Sequence, residues 1–457
     1  MKHRLCSVLA VAAVLAASAP AAVAQKAKAP APSAAFPYPI EQSALPNGLK
    51  VVTVPFDSPG LAAFYLVVRA GSRDEVEPGH TGFAHFFEHV MFRGTDKYPK
   101  EKYDQVLKSL GASANANTSL DRTVYTMTGN ARMLDKMFEV EADRFQRLNY
   151  AEHDFKAEAG AVKGEYTKNS ASPYTQLYEK TLETAFDKHT YEHTTMGFFK
   201  DIVDMPNQYA YSKQFFDRFY RPEYTTLLVV GDVKAAEVNA LAKKYFADWK
   251  RGSYQPSIEA EPEQKGTRYA HVQNANFPPF LGLNYKGPAY SDKDKDLPAL
   301  DLLLTLMTAE NSPLYEKLVV KEQKARFIGG SPNFTRDPQL ISVQASVVKA
   351  DDIPYVRDEL TKALEQLKTT PVDAKRLADT KSAAKYGLAL SLDSPDQIAN
   401  TLAQYIWLTG DAQSLNRLYA LYDQVTPADL QAVAKKYFVA DHLTVGTIAP
   451  GEASPVK

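Results

Sequence analysis

Short apolar stretches and longer stretches with helical spacing follow one another along this chain. The short stretches predict β-strands, and the clearest of them lie at residues 49–54, 62–68, 225–231, 340–347 and 443–448. The helix-like segments between them do not follow a regular strand–helix–strand alternation. We therefore predict an α+β fold whose sheets are mainly antiparallel and are covered by helices.

Each half of the chain ends in the same way, with an amphipathic stretch followed by a buried strand. Matching Phe219 with Tyr437 aligns the two stretches, and a proline that suits a helix start precedes each, Pro206 in one and Pro427 in the other. The separation between Phe219 and Tyr437 is close to half the length of the chain that follows the first 24 residues. Residues 251–266, between the halves, are polar, charged and contain two prolines, as is typical of a linker. The sequence thus predicts two homologous domains.

The first 24 residues have the pattern of a secretory signal. Lys2 and Arg4 precede an apolar stretch that is short for a membrane span, and residues 22–24 have the small-x-small pattern of a cleavage site. Cys6, the only cysteine, would be removed with the signal, so we expect no disulfide and no thiolate metal site. No later stretch is apolar enough to predict stable membrane insertion. We expect a periplasmic or secreted protein.

These patterns give one prediction for the organisation of the chain. It comprises a signal peptide at 1–24, a flexible tether at 25–36, an N-terminal domain at 37–250, a linker at 251–266, a homologous C-terminal domain at 267–450 and a tail at 451–457. Composition narrows the function, because 53 Lys+Arg against 54 Asp+Glu, with no dense basic run, predicts no nucleic-acid partner.

The segment His85-Phe86-Phe87-Glu88-His89 carries the most specific chemistry in the chain. Its apolar residues have helical spacing, Gly82 suits a helix start and Gly94 suits a stop. On a helix with ~100° per residue, the two histidines lie ~40° apart on adjacent turns, and Glu88 falls on the same side. Two imidazoles can therefore bind one ion.

Zinc suits this arrangement because it binds neutral imidazoles and a further carboxylate while leaving one position open for water. A second carboxylate, which is not a ligand, can then take a proton from that water. The order His-x-x-Glu-His is the inverse of the commoner zinc-protease motif. Two histidines and a glutamate beside two phenylalanines would also be costly to desolvate unless something pairs them.

The third ligand must come from elsewhere in the chain. Glu158 and Glu165 are seven residues apart, so on a helix they lie ~20° from one line and ~10.5 Å apart along the axis. One of them can coordinate the ion while the other supports the ligands. Spacing alone does not favour this pair over Glu139, Glu141 or Asp143.

Residues 71–95, with GSRDE, G-x-A-H-F-x-E-H and F-x-G-T, closely resemble the pitrilysin-type metallopeptidases. This inverted-motif zinc family includes insulin-degrading enzyme and mitochondrial processing peptidase. The resemblance covers essentially the whole chain after the signal, and it is specific in the first half. It implies a bacterial, secreted, two-domain zinc peptidase with one Zn²⁺ per chain.

The resemblance also implies roles for individual residues. The family's third ligand is a glutamate far beyond the second histidine, and its usual separation from that histidine falls on Glu165, so the implied zinc ligands are His85, His89 and Glu165. Glu88 is then the general base and proton donor. Glu158 corresponds to the family's second acidic residue, seven positions before the third ligand.

Residues 111–118, followed by Asp121, Thr123 and Tyr125, resemble the family's N-A-x-T strand, whose edge receives the substrate backbone. The implied substrate-binding residues are Asn115, Ala116, Asn117 and Thr118. Without the family, this stretch would be an ordinary polar strand or turn.

The second half departs from the family at one place. Family members usually place an arginine after a serine, and a tyrosine later, to stabilise the oxyanion over the zinc. Here Pro313 follows the serine, and Phe327 occupies the later position. Proline cannot supply the positive charge that such stabilisation needs. Substitution by Tyr315, Arg326 or Phe327 stays open from the sequence, although Tyr315 and Arg326 are out of register for a direct replacement.

The sequence therefore predicts a zinc endopeptidase that hydrolyses short or unfolded peptides. It is expected to work with a homologous subunit that supplies the Arg/Tyr pair, or as a homodimer. Two alternatives remain from the sequence alone, namely a non-catalytic scaffold subunit and a peptide-binding chamber without turnover.

Overall fold

Two β-sheets, one in each half of the chain, form the framework of this computed structural model, which describes residues 35–457. The strands are β1 (Glu41–Ala44), β2 (Lys50–Pro55), β3 (Leu61–Val68), β4 (Ser113–Thr118), β5 (Thr123–Asn130), β6 (Thr225–Gly231), β7 (Arg268–Gln273), β8 (Phe280–Lys286), β9 (Ala325–Pro332), β10 (Leu340–Val347) and β11 (Leu443–Ala449).

Helices connect the strands and cover both sheets. They are α1 (Phe83–Val90), α2 (Lys100–Leu110), α3 (Leu134–Arg147), α4 (Glu152–Ser170), α5 (Pro173–Ala185), α6 (Phe199–Asp204), α7 (Tyr209–Phe219), α8 (Ala235–Phe246), α9 (Asp296–Thr308), α10 (Pro313–Tyr315, continued by a π-helical turn at Glu316–Lys321), α11 (Ile353–Thr369), α12 (Ala374–Leu390), α13 (Pro395–Thr409), α14 (Ser414–Gln424) and α15 (Pro427–Tyr437).

The two sheets share one topology. Their strand orders are β1-β2-β6-β3-β5-β4 and β7-β11-β8-β10-β9, which match strand for strand apart from the extra edge strand β1. Each sheet is antiparallel except for one parallel pair, β2 with β6 and β7 with β11. The starts of β6 and β11 are separated by the same offset as Phe219 and Tyr437. The predicted duplication and the mainly antiparallel α+β fold are therefore confirmed.

One helix of each half packs on the sheet of the other half. Helix α13 packs on β3 and β6 of the first sheet, and α5 packs on β7 and β11 of the second. Tyr65 of β3 donates a hydrogen bond to the carboxylate of Asp396 on α13 at 2.5 Å. The two cores are thereby interlocked, because an apolar face of each sheet is covered by the other half.

Among the contacts of the segment between the halves, those of Glu261 reach both halves. Residues 251–266 form neither helix nor strand. The carboxylate of Glu261 accepts backbone N–H groups of residues 187–189 at 2.9–3.1 Å and pairs with Lys286 at 3.2 Å. The linker is thus anchored to both halves.

Phe36 corrects the predicted tether. Its apolar ring packs into the core of the second half, so its side chain is only 1% exposed. Its backbone N–H donates to the side-chain oxygen of Asn416 at 3.0 Å. The predicted tether therefore does not include residue 36. The predicted signal peptide, Cys6 and residues 25–34 lie outside the described residues, and the domain boundaries stay predictions. Within 35–457, no helix is long and apolar enough to cross a membrane.

Candidate metal centre

Helix α1 starts and stops at the two glycines that the sequence indicated. Gly82 is the N-cap with φ +89°, and a Cβ there would lie 2.4 Å from Ile202 and 2.9 Å from the carbonyl oxygen of Met196. Gly94, with φ +91°, follows the short 3₁₀ turn that continues α1. Both positions require glycine, because other residues rarely adopt this conformation.

Aromatic packing fixes the rotation of α1. Phe83, Phe86 and Phe87 are at most 1% exposed, and Phe87 stacks on Phe215 of α7 with ring centroids 5.2 Å apart. Helical geometry then directs His85 and His89 to the opposite side of the helix from this aromatic packing. The sequence thus uses the apolar stripe to aim its two histidines at α4.

Three predicted ligands meet between α1 and α4. The Nε2 atoms of His85 and His89 lie 3.7 and 3.4 Å from Oε2 of Glu165, and one ligand atom from each residue lies within 4.8 Å of the others. Ligands about 2.1 Å from a tetrahedral zinc lie roughly 3.4 Å from one another. The spacing of these atoms therefore fits a common ion.

The chemistry of the donor set also fits zinc. Burial lowers the pKa of His85 from its usual value, which favours the neutral imidazole that a metal ligand needs. Nδ1 of His85 is buried and has no hydrogen-bond partner among the described residues. The other ring nitrogen, Nε2, is the one that approaches Glu165. Two imidazoles and one carboxylate form a typical catalytic zinc set with an open fourth position.

Glu158 lies behind the ligands, as the sequence suggested. Its Oε2 is 3.6 Å from Nδ1 of His89, and its other oxygen accepts from Arg93. The contact with Glu158 raises the pKa of His89, and the contact with His89 and the charge of Arg93 lower the pKa of Glu158. The carboxylate therefore orients the His89 ring through the nitrogen that does not face Glu165.

The three carboxylates that spacing left open are engaged on α3. Each has a partner of its own outside the histidine pair: Glu139 with Lys97 and Lys136, Glu141 with Arg144, and Asp143 with Thr95. Only Glu165 approaches both histidines among the described residues.

Glu88 is half-buried on α1, next to but outside the ligand group. The negative charge of Glu88 opposes the larger effect of burial, which lowers the pKa of His85. The same charge opposes the fall in the pKa of Arg122. A carboxylate held beside the open position of the ion, without coordinating it, is what a general base requires.

Strand β4, which carries the predicted substrate-binding residues, is the edge strand beside α1. The N–H of Ser119 donates to the carbonyl of Arg122 at 2.9 Å and closes the β4–β5 hairpin. Since hydrogen-bonded pairs alternate along an antiparallel ladder, the backbone groups of Ala114, Ala116 and Thr118 point to the free edge. Within the predicted set, Ala116 and Thr118 thus offer backbone to a new strand, whereas Asn115 and Asn117 bond inward and expose their side chains.

Sequence reasoning missed Glu75, which holds the start of α1. Its two oxygens accept the N–H groups of Gly82 at 2.8 Å and Ala84 at 2.7 Å, next to the first histidine ligand. Burial raises the pKa of Glu75 to about 8, although these two bonds oppose the rise. The GSRDE stretch contains this residue, but no local pattern shows that its carboxylate reaches the start of the following helix.

Glu75→Gln is expected to loosen this anchor. Above pH 8, where the carboxyl is ionised and accepts both N–H groups, the amide of the variant turns an N–H donor toward one of them, so we expect the free energy of unfolding to fall by about 1–3 kcal/mol. Zinc affinity should also fall about 10-fold, in the range of losses from outer contacts. Calorimetry and zinc titration measure both. Glu77→Gln, which breaks a surface pair with Arg218, should cost less than about 1 kcal/mol; equal effects of the two variants would contradict the assignment.

The second-half residues are engaged within their own half. Pro313 begins α10. The hydroxyl of Ser312 accepts the N–H of Tyr315, and the side chain of Tyr315 packs against the hydrophobic core that contains most of the second half's buried residues. Arg326 donates to the carbonyl of Val347, and Phe327 is 49% exposed on the edge strand β9. Helix α9, the counterpart of α1 in the duplicated topology, contains no histidine.

Comparisons with known proteins match both halves. The model of the insulinase family, peptidase family M16, matches residues 52–197, and the model of the peptidase M16 inactive domain matches residues 208–384. The first match contains all the predicted site residues of α1, β4 and α4. The second fits the absence of a histidine pair from α9.

Similar proteins cover most of the chain. The zinc protease PqqE of Helicobacter pylori is 31% identical over 422 residues, which are 90% of this chain and 93% of that protein. The crystal structure of a protease from Helicobacter pylori has a TM-score of 0.82 at 30% identity, covering 90% of this chain and 99% of the other. The periplasmic protease PqqL of Escherichia coli has a TM-score of 0.75 at 20% identity, covering 90% of this chain and 48% of the other.

Proposed function

Because the chain belongs to peptidase family M16, the insulinase family, we propose that it is a zinc-dependent endopeptidase. The observation that carries the proposal is the convergence of His85, His89 and Glu165 on one point between two helices. Named zinc proteases among its relatives support a metallopeptidase and zinc in general. The particular ligands, the base and the substrate strand belong to the proposal.

Zinc held by these three side chains would supply Lewis acidity toward water and the scissile carbonyl. The carboxylate of Glu88 takes a proton from the attacking water and then gives it to the leaving amine. Glu158 and Arg93 keep the His89 ring in one orientation during this exchange. The chain thus provides metal ligands, an acid/base group and a rigid support.

The edge of β4 binds the substrate in this proposal. An extended peptide that pairs with Ala116 and Thr118 gains backbone hydrogen bonds without any side-chain requirement. A folded protein cannot present a free strand in this way unless it opens. We therefore propose short or unfolded peptides as substrates.

We propose the periplasm as the location. The signal-like first 24 residues support export, and the similar PqqL of Escherichia coli is a periplasmic protease.

A homologous partner, or a second copy, completes the site in this proposal. Pro313 stands where a cation is expected, and Tyr315 and Arg326 are engaged within the second half. The chain therefore provides the zinc side of the site and lacks an obvious source of positive charge from its own second half. A partner with the Arg/Tyr pair would stabilise the oxyanion.

The proposal is tested by measuring peptide turnover of the purified chain, alone and with same-sized homologues that co-purify from the native host. We expect slow hydrolysis by the chain alone, at least 10-fold faster hydrolysis with the partner, and loss of both with a chelator. Full activity without any homologue, and with no self-association, would contradict the partner. Peptide binding that chelators leave unchanged, without turnover, would favour the binding chamber instead.

A further inference from the structure

Arg122 lies at the end of the hairpin that carries the proposed substrate strand. It follows the turn after β4, and its Nη1 donates to the backbone carbonyl of Asn117 at 2.7 Å and also to the Asn117 side-chain oxygen. These two bonds fix one edge of the guanidinium against β4. Asn117 and Arg122 therefore form one unit on the substrate strand.

The rest of this guanidinium has unused hydrogen-bonding capacity. A guanidinium carries five N–H groups, yet Nε of Arg122 is buried without a partner, and no carboxylate of the described residues forms an ion pair with the group. By contrast, the fully buried Arg144 pairs with Glu141, and Arg73, which is partly buried like Arg122, pairs with Asp337. A partly buried cation without an ion pair is costly unless a ligand supplies the anion.

The guanidinium of Arg122 stays charged at neutral pH, and its charge interacts with that of the proposed general base. Burial lowers the pKa of Arg122 to about 10, and the charges of Glu88 and Asp121 oppose that fall. Glu88 is the proposed general base, and Asn117 lies on the proposed substrate strand. The residue is partly buried, and the exposed part of its side chain is open to a substrate side chain.

We propose that Arg122, positioned by Asn117, binds a carboxylate of the substrate close to the scissile bond and gives the enzyme a preference for acidic peptides. The carboxylate is either an acidic side chain or the peptide's C-terminus. This inference rests on the proposed function. Its physical basis is the charge-assisted pairing of a planar guanidinium with a carboxylate.

The test uses the zinc-loaded full chain and quenched fluorescent peptides that differ by one Glu-to-Gln exchange, moved through every position. A second set has a free or an amidated C-terminus. We expect one position, or the C-terminus, at which the charged peptide is preferred about 10- to 100-fold in kcat/KM. Arg122→Gln should reduce that ratio to about one, and Arg122→Lys should retain part of it.

Arg132→Gln is the matched control, because Arg132 is an exposed arginine just beyond the other end of β5. Its ratio should equal that of the wild type. A loss that is equal for charged and neutral peptides in Arg122→Gln would overturn the inference and assign Arg122 to bracing the hairpin. So would a wild type without any preference.

Binding measurements separate this inference from the proposed function. Fluorescence anisotropy with the same peptides gives the affinity ratio of charged to neutral peptide, even if neither is hydrolysed. A ratio that depends on Arg122 without turnover would support the subsite and contradict the peptidase. Turnover without such a ratio would support the peptidase and contradict the subsite.

Discussion

Glu88→Gln is expected to lower kcat by about 10³-fold or more while zinc content stays at the wild-type level. The amide keeps the size of the side chain but cannot accept a proton, and general acid–base groups contribute about 10²–10⁴-fold. Because Glu88 acts in both proton transfers, the upper part of that range applies. The residue is outside the ligand group, so the metal should remain bound.

Steady-state assays at saturating peptide and metal analysis on the same preparation measure both quantities. Glu101→Gln, an exposed glutamate on α2, is a suitable control and should leave kcat unchanged. Retained turnover in Glu88→Gln would refute the assigned base. Loss of zinc together with activity would instead place Glu88 among the ligands.

Glu165→Ala should remove most of the zinc affinity. The carboxylate oxygen is the point that both imidazoles approach, at 3.7 and 3.4 Å, and it is the one ligand that we propose from α4. Its loss leaves two histidines on one helix, which bind zinc far more weakly than a three-ligand set. We expect the zinc Kd to rise by more than about 10²-fold, beyond the 10–100-fold that loss of an outer contact costs.

Competition with a chromophoric zinc chelator gives this Kd directly. Glu152→Ala, at the exposed start of the same helix, controls for the helix itself and should leave the Kd unchanged. Zinc should also raise the unfolding temperature of the wild type and not that of Glu165→Ala, because a ligand stabilises only the state that binds it. Equal zinc affinity in Glu165→Ala and the wild type would show that another side chain completes the site.

Local patterns sufficed to predict the two ends of α1 and the strands near 225 and 340. Gly82 and Gly94 mark the ends of an apolar stripe with helical spacing, and the conformations of these glycines follow from the turns they make. The duplicated sheet was predictable for the same reason. Its closing strands β6 and β11 recur at the offset that separates Phe219 from Tyr437.

Contacts between distant segments were not predictable from spacing. Glu165 could not be distinguished from Glu139 or Glu141 until α3 was seen to occupy those two with its own cations. Glu75 and Arg122 act through backbone groups and a neighbouring asparagine, and neither kind of contact leaves a periodic pattern. The exchange of α5 and α13 between the halves is likewise a tertiary arrangement.

A single zinc ion at the meeting point of α1 and α4 is the central element of the proposed function. Anomalous diffraction at the zinc edge, from crystals of the purified protein, locates that ion without reference to activity. We expect one peak per chain, about 2.1 Å from Nε2 of both His85 and His89 and from a carboxylate oxygen of Glu165. A peak elsewhere, or none after zinc loading, would contradict it.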